Sequence, residues 1–184
     1  MVFPVPSYSQ YLDVPQPKWR GRSCGVVALK MVLDYWRKKT VEDSPTITTL
    51  IRLGTSGNAY IKGVGWKHLG LVKMARRYRF RSKNYDWANE HHAVASKKLL
   101  LILRKQPIIA SIYRNTKTKK GGHLVVLTGI RESDGKICMI DPAEKTRKRE
   151  IRSVSLNAFT RSWKQRVIIV SPIRLPKKGR VGKV

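Results

Sequence analysis

"GRSCGVVALKMVLDYW", residues 21–36, sets a basic, glycine-containing flank against a run whose apolar residues recur at helical spacing. Val27, Met31 and Tyr35 fall at i, i+4 and i+8, with Ala28, Val32 and Trp36 beside them, so one face of a helix is set to enter a core. Ser23 is a residue type that caps helix N-termini, which puts Cys24 in the first turn. Backbone N–H groups and the helix dipole stabilise negative charge there, and a thiol in that turn is biased toward thiolate. Arg20 and Arg22 add positive charge in front of it, and Gly25 leaves room for an approaching substrate backbone. A packed, inert thiol is the ordinary alternative, since free cysteines are among the most buried residues. The rest of the chain decides between the two.

Upstream, the prolines and alternation of "VFPVPSYSQYLDVP" predict an extended arm or edge strand leading into a loop. Downstream, "VEDSPTITTLIRLGT" reads as a loop and a short helix from about Thr46 to Gly54. "GWKHLGLVKMARRYRF" reads as a helix with a basic outer face that uses Trp66, Leu69 and Val72, and a further helix runs from Asn89 to Lys105, stopped by Pro107. The second half changes character. "PIIASIY", "HLVVLTGI", "KICMIDP" and "RVIIVSP" are short β-branched runs, "ESDG" is turn chemistry for an antiparallel hairpin, and "SLNAFTRSW" is a short helix before the last strand. Helices first and strands later predict an α+β fold, a helical lobe packed on an antiparallel β-sheet. One domain over residues 1–175 is expected, followed by a loose basic tail, residues 176–184.

The 184 residues suffice for a core without metal or disulfide staples. No apolar run approaches the roughly 18 residues of a membrane span, and the proline-broken N-terminus lacks a secretory pattern, so a soluble, cytoplasmic protein is expected. Cys24 and Cys138 are then thiols to be explained one by one, and Cys138, inside a strand, reads as core. Lys and Arg number 39 against 11 Asp and Glu, a net charge of +28 that attracts polyanions or acidic substrates. The charge is dispersed over "KWRGR", "RRYRFRSK", "RNTKTKK" and "EKTRKRE", which suits a generally basic surface, with weak nucleic-acid or other polyanion binding as a second expectation. No Cys-x-x-Cys or His-x-x-x-His pattern offers a metal site, and no cofactor is expected.

A nucleophilic cysteine needs a base, and there are four histidines. His68 sits within a helical pattern, and His91 and His92 are adjacent at a helix start. His123 instead opens the most apolar strand behind the flexible "KKGG", so it can project from a sheet edge into a cleft. Asp141 ends the next strand. If "ESDG" closes a hairpin, the start of one strand lies beside the end of the other, and His123 meets an acceptor able to fix its tautomer. A glutamine on the arm, Gln10 or Gln16, can supply an oxyanion donor together with the Cys24 N–H.

"VPSYSQYLD…SCGVVALKMVLDYW", "GGHLVVLTGI" and "ICMIDP" together resemble the papain-like cysteine peptidases of the bacteriocin-processing, double-glycine-leader type, especially their stand-alone relatives. The resemblance implies a papain-like fold and a peptide or protein substrate. It implies Cys24 as nucleophile, His123 as base, Asp141 as orienting acid and Gln10, in the family-like context "PSYSQ", as oxyanion donor. The basic "PKWRGR" between Gln10 and Cys24 departs from the leader peptidases of export transporters, and no membrane-spanning or ATPase segment follows. The same site is compatible with acyl transfer or deamidation, and the charge with a non-catalytic polyanion-binding module on the same fold.

Overall fold

A computed structural model of the chain describes residues 1–37, 44–146 and 151–173. Its order is α1 (Cys24–Arg37), α2 (Ile47–Ser56), β1 (Tyr60–Ile61), β2 (Gly65–Trp66), α3 (His68–Arg77), β3 (Phe80–Asp86), α4 (His92–Leu103), β4 (Ile108–Ile112), β5 (His123–Ile130), β6 (Ile137–Ile140), β7 (Arg152–Val154), α5 (Leu156–Ser162) and β8 (Trp163–Pro172). The expected tail falls outside the described residues.

β3 to β8 form one antiparallel sheet in the order β3-β8-β4-β5-β6-β7. The unbroken apolar run of β5 follows from its central place, because both of its faces are covered. Leu124 and Val126 join α1, α2 and α3 in one core. Val125 and Leu127 join Ala95, Leu99 and Leu103 of α4 and Phe159 of α5 in another. The α+β architecture is the expected one, with the difference that α4 and α5 cover the second face instead of joining a single helical lobe.

α1 is the hub of the first core. Val27, Met31, Val32 and Leu33 are inaccessible to solvent, and each such side chain contributes about 1.5–3 kcal/mol by leaving water. Ser23 opens the helix through its carbonyl, which accepts from Val27 N–H at 2.9 Å, while its hydroxyl donates to the Trp19 carbonyl at 2.6 Å. Cys24 is thus the first residue of α1.

The first half holds more strand than its sequence predicts. β3 comes from "FRSKNYD", where Phe80 and Ser82 turn inward and Arg81 and Lys83 outward, a charged edge strand that carries no apolar run. Trp66 is not helical. It ends the β1–β2 hairpin, whose tip is built on Gly63 and Gly65 at φ +82 and +114, values that glycine adopts without strain. Leu69 is correspondingly exposed, and Leu71, Val72, Met74 and Ala75 bury α3. α2 runs through Gly54 to Ser56 and ends at Gly57.

Gly54 is retained for space. A β-carbon there would stand 2.4 Å from Trp66 Cζ3 and 3.2 Å from Met74 Sδ. Gly54→Ala improves helix propensity by about 1 kcal/mol, yet the overpacking of the indole costs about 1–3 kcal/mol. A net fall in the urea midpoint at constant m-value is expected, and an unchanged or higher midpoint would show that Trp66 yields freely.

Candidate active site

Three separate elements carry the candidate residues His123, Asp141 and Gln10. The first is β5, which begins at His123, and the second is β6, which ends one residue before Asp141. Their pairing sets Val126 opposite Ile140 and Leu127 opposite Met139, so the ends carrying His123 and Asp141 lie together. His123 Nε2 is 2.6 Å from Asp141 Oδ1, and that same oxygen accepts the Ala143 N–H at 2.7 Å. The carboxylate is thereby fixed from its own turn while it holds the ring.

His123 is 6% exposed, and its Nδ1 has no hydrogen-bond partner among the described residues. With Nε2 committed to Asp141, Nδ1 is the nitrogen left for the thiol. Cys24 and His123 act on each other as a charge pair. Burial works against the Cys24 thiolate, but its interaction with the adjacent His123 ring, the Leu124 N–H and the Arg114 guanidinium outweigh it and hold the thiol below its ordinary value. Burial likewise disfavours a charged His123, yet Asp141 and Cys24 push it up to about 9. Asp141 is half-buried, which opposes its charge, yet His123, the Ala143 N–H and Arg152 bring its carboxyl below the usual value. The two groups therefore favour each other's charged forms, the thiol biased toward thiolate and the ring toward imidazolium.

The arm is the third element. Phe3 N–H donates to Thr128 O at 2.6 Å, Val2 bridges Gly129, and Gln10 N–H donates to Pro142 O at 2.8 Å. This anchoring delivers Gln10 beside the turn that holds Asp141. Its amide is fully buried, and neither Nε2 nor Oε1 has a partner among the described residues. Gln16 is engaged elsewhere, with Nε2 donating to Thr48 Oγ1 at 3.0 Å.

Sequence reasoning misassigned two groups near the thiol. Gly25 makes room for the chain's own Trp66, whose Cβ and Cγ would lie 2.7 Å from an added β-carbon, and not for a substrate. The indole of Trp66 donates to Arg22 O at 2.7 Å, which ties the hairpin to the segment before Cys24. Arg20 turns away to the Val14 carbonyl, and the guanidinium that stabilises the thiolate is Arg114, from the far end of β4. No local signal marks Arg114. The hairpin had one, the two glycines of "KGVG". Cys138 is 4% exposed inside β6 and its sulfur lies 3.7 Å from Ser153 Oγ. His91 caps α4 through Nδ1, and His68 is held below its ordinary pKa by burial and by Arg166 and Lys164, with Asp86 opposing.

A cleft of about 490 Å³ opens over Cys24, walled by Tyr60, Val64 and Trp66 on the hairpin side and by Arg114, Gly121 and Gly122 on the other. Val64 at the tip is 78% exposed. No helix of the described residues is long and apolar enough to cross a membrane.

Among solved structures the chain is similar to a double glycine motif protease from an AMS/PCAT transporter in complex with the leader peptide, at 22% identity and a TM-score of 0.61, with 94% of each chain covered. It is also similar to the peptidase domain of Streptococcus ComA, a bi-functional ABC transporter involved in a quorum-sensing pathway, at 19% identity and a TM-score of 0.57, covering 89% of this chain and 99% of that one. At such identities the likeness carries the fold alone. No curated protein sequence matches. The model of the Peptidase_C39 like family matches residues 2–168, nearly the whole described chain, and the protein therefore belongs to that family of cysteine-type peptidases.

Proposed function

We propose that the chain hydrolyses peptide bonds with Cys24 as nucleophile, His123 as base and acid, Asp141 as the group that orients His123, and Gln10 as oxyanion donor. One observation carries the reading: the His123 ring is held through Nε2 by Asp141 at 2.6 Å, which leaves Nδ1 for a thiol at the N-terminus of α1.

The Cys24 thiolate attacks the scissile carbonyl, and the carbonyl π-electrons move onto oxygen. The Cys24 N–H and Gln10 Nε2 donate to that oxyanion as donors set in place before the charge develops. As the intermediate collapses the C–N bond breaks, and the amine leaves with the proton from His123 Nδ1. The neutral ring then deprotonates a water that attacks the thioester, and the acid product departs as the thiolate and imidazolium re-form. Asp141 keeps the ring from rotating and stabilises its charge throughout.

An electrophilic thiol probe is expected to label Cys24 and to spare Cys138, because only the former combines a lowered pKa with an open cleft. Peptide mapping after labelling locates the adduct. New protein N-termini generated by the wild type and absent with Cys24→Ala establish hydrolysis, whereas equal labelling of both cysteines would defeat the reading.

A further inference from the structure

Beside the thiol cleft lies a second cavity of about 590 Å³, lined among others by His92, Tyr113, Lys119, Arg161, Trp163 and Lys164. Three of these side chains are cations, and no carboxylate lines the cavity among the described residues. The nearest acids are already spent, Asp86 on Arg166 at 2.8 Å and Glu90 on Lys98 at 2.7 Å. The thiol cleft has the same character, with Arg22, Lys62 and Arg114 and no carboxylate.

The cavity is shaped by an irregularity in β8. Ser111 of β4 pairs with Arg166 while Ile112 pairs with Trp163, so Lys164 and Gln165 bulge out of the ladder. Gln165 sits at φ +54 and is anchored by its amide to the carbonyls of Trp87 at 2.7 Å and Glu90 at 3.0 Å. Bulges re-aim side chains beside functional clefts. This one sends the Lys164 ammonium over the Tyr113 ring and onto the carbonyl of Gly121, a lining residue of the thiol cleft, at 3.3 Å. Burial and Arg166 hold the Lys164 ammonium below its ordinary pKa, a cost that a bound anion relieves.

We infer that this cavity is a subsite for acidic side chains of a peptide substrate, built by Lys119, Arg161 and Lys164 and adjoining the Cys24 cleft where Lys164 meets Gly121. The inference rests on the peptidase reading above for the identity of the chain it receives. A peptide is favoured over a nucleic acid by the tryptophans. Trp163, Trp87 and Trp66 are 2%, 6% and 8% exposed, and single-stranded nucleic acid is held by bases stacking on open aromatic faces.

The test uses the 184-residue chain carrying Cys24→Ala, with fluorescein-labelled hexaglutamate, hexaglutamine and a short single-stranded oligonucleotide as probes in anisotropy titrations. Hexaglutamate is expected to bind, and hexaglutamine not. The pair Lys119→Glu and Arg161→Glu should weaken hexaglutamate by about tenfold or more, the scale of losing charge-assisted hydrogen bonds. The pair Lys73→Glu and Arg77→Glu on α3 changes net charge equally and should weaken it by less than about twofold, because that face is screened from the cavity. Equal losses in both pairs would reduce the effect to the general field of the protein and overturn the subsite. So would an oligonucleotide that outbinds hexaglutamate and is lost in the Lys119 and Arg161 pair. Failure of Cys24 to react with a thiol probe in the wild type would strike the peptidase reading while leaving this binding contrast intact, so the two fail separately.

Discussion

His123→Ala is expected to lower peptide hydrolysis by about 10⁴-fold, the upper range for a positioned acid and base, and to change the shape of the pH profile. In the wild type the reactive form pairs a deprotonated Cys24 with a protonated His123. Its population rises as pH passes the thiol pKa, which lies below the ordinary value, and falls as pH passes about 9, where His123 loses its proton. kcat/KM should therefore be bell-shaped with an alkaline limb near pH 9. Without the imidazole, burial of Cys24 is opposed only by the Leu124 N–H and Arg114, so the thiol pKa climbs. The residual rate should then rise with pH and show no alkaline fall. Asp141→Asn separates orientation from charge, because the ring remains while the partner that raises its pKa is neutralised. Its alkaline limb should move to lower pH. An alkaline limb near 9 that survives His123→Ala would assign it to another group and remove His123 from the chemistry.

The adjacency behind that prediction was legible in the sequence for a topological reason. "ESDG" is a turn, a turn between two β-branched runs makes antiparallel neighbours, and antiparallel neighbours bring the start of one to the end of the other. β5 itself was legible because a strand buried on both faces has no polar alternation to confuse it. β3 was hidden for the converse reason. At a sheet edge Arg81 and Lys83 face solvent, and the pattern Phe80, Arg81, Ser82, Lys83 reads as a charge run after a helix. Trp66 misled in a related way, since an aromatic residue three positions before Leu69 fits a helix face until the left-handed glycines before it are taken as a turn. Arg114 had no signal at all. It reaches the thiol only because β4 pairs with β5 and ends beside His123, a consequence of tertiary pairing that no window of sequence contains.

Gln10→Ala is expected to lower kcat by about 10²–10³-fold with little change in KM, the size of losing one oxyanion donor, because in the proposed mechanism the Gln10 amide meets charge that develops only after attack. Gln16→Ala should stay within about twofold, since its amide is spent on Thr48 rather than on a substrate oxygen. Two further readouts separate an oxyanion role from a merely structural one. Alkylation of Cys24 by iodoacetamide forms no tetrahedral oxyanion, so its rate should be preserved in Gln10→Ala while hydrolysis collapses. A packing defect that displaced Cys24 would slow both. Stability should move the other way in Gln10→Met. A fully buried amide with no partner among the described residues costs about 1–3 kcal/mol, and an apolar side chain of similar volume removes that cost. Gln10→Met should therefore raise the unfolding midpoint and remain as inactive as Gln10→Ala, the pattern of a side chain kept unsatisfied in the resting protein for a charge that appears only in the transition state. A Gln10→Met protein that hydrolyses peptides like the wild type would leave the oxyanion to backbone donors and remove Gln10 from the reaction.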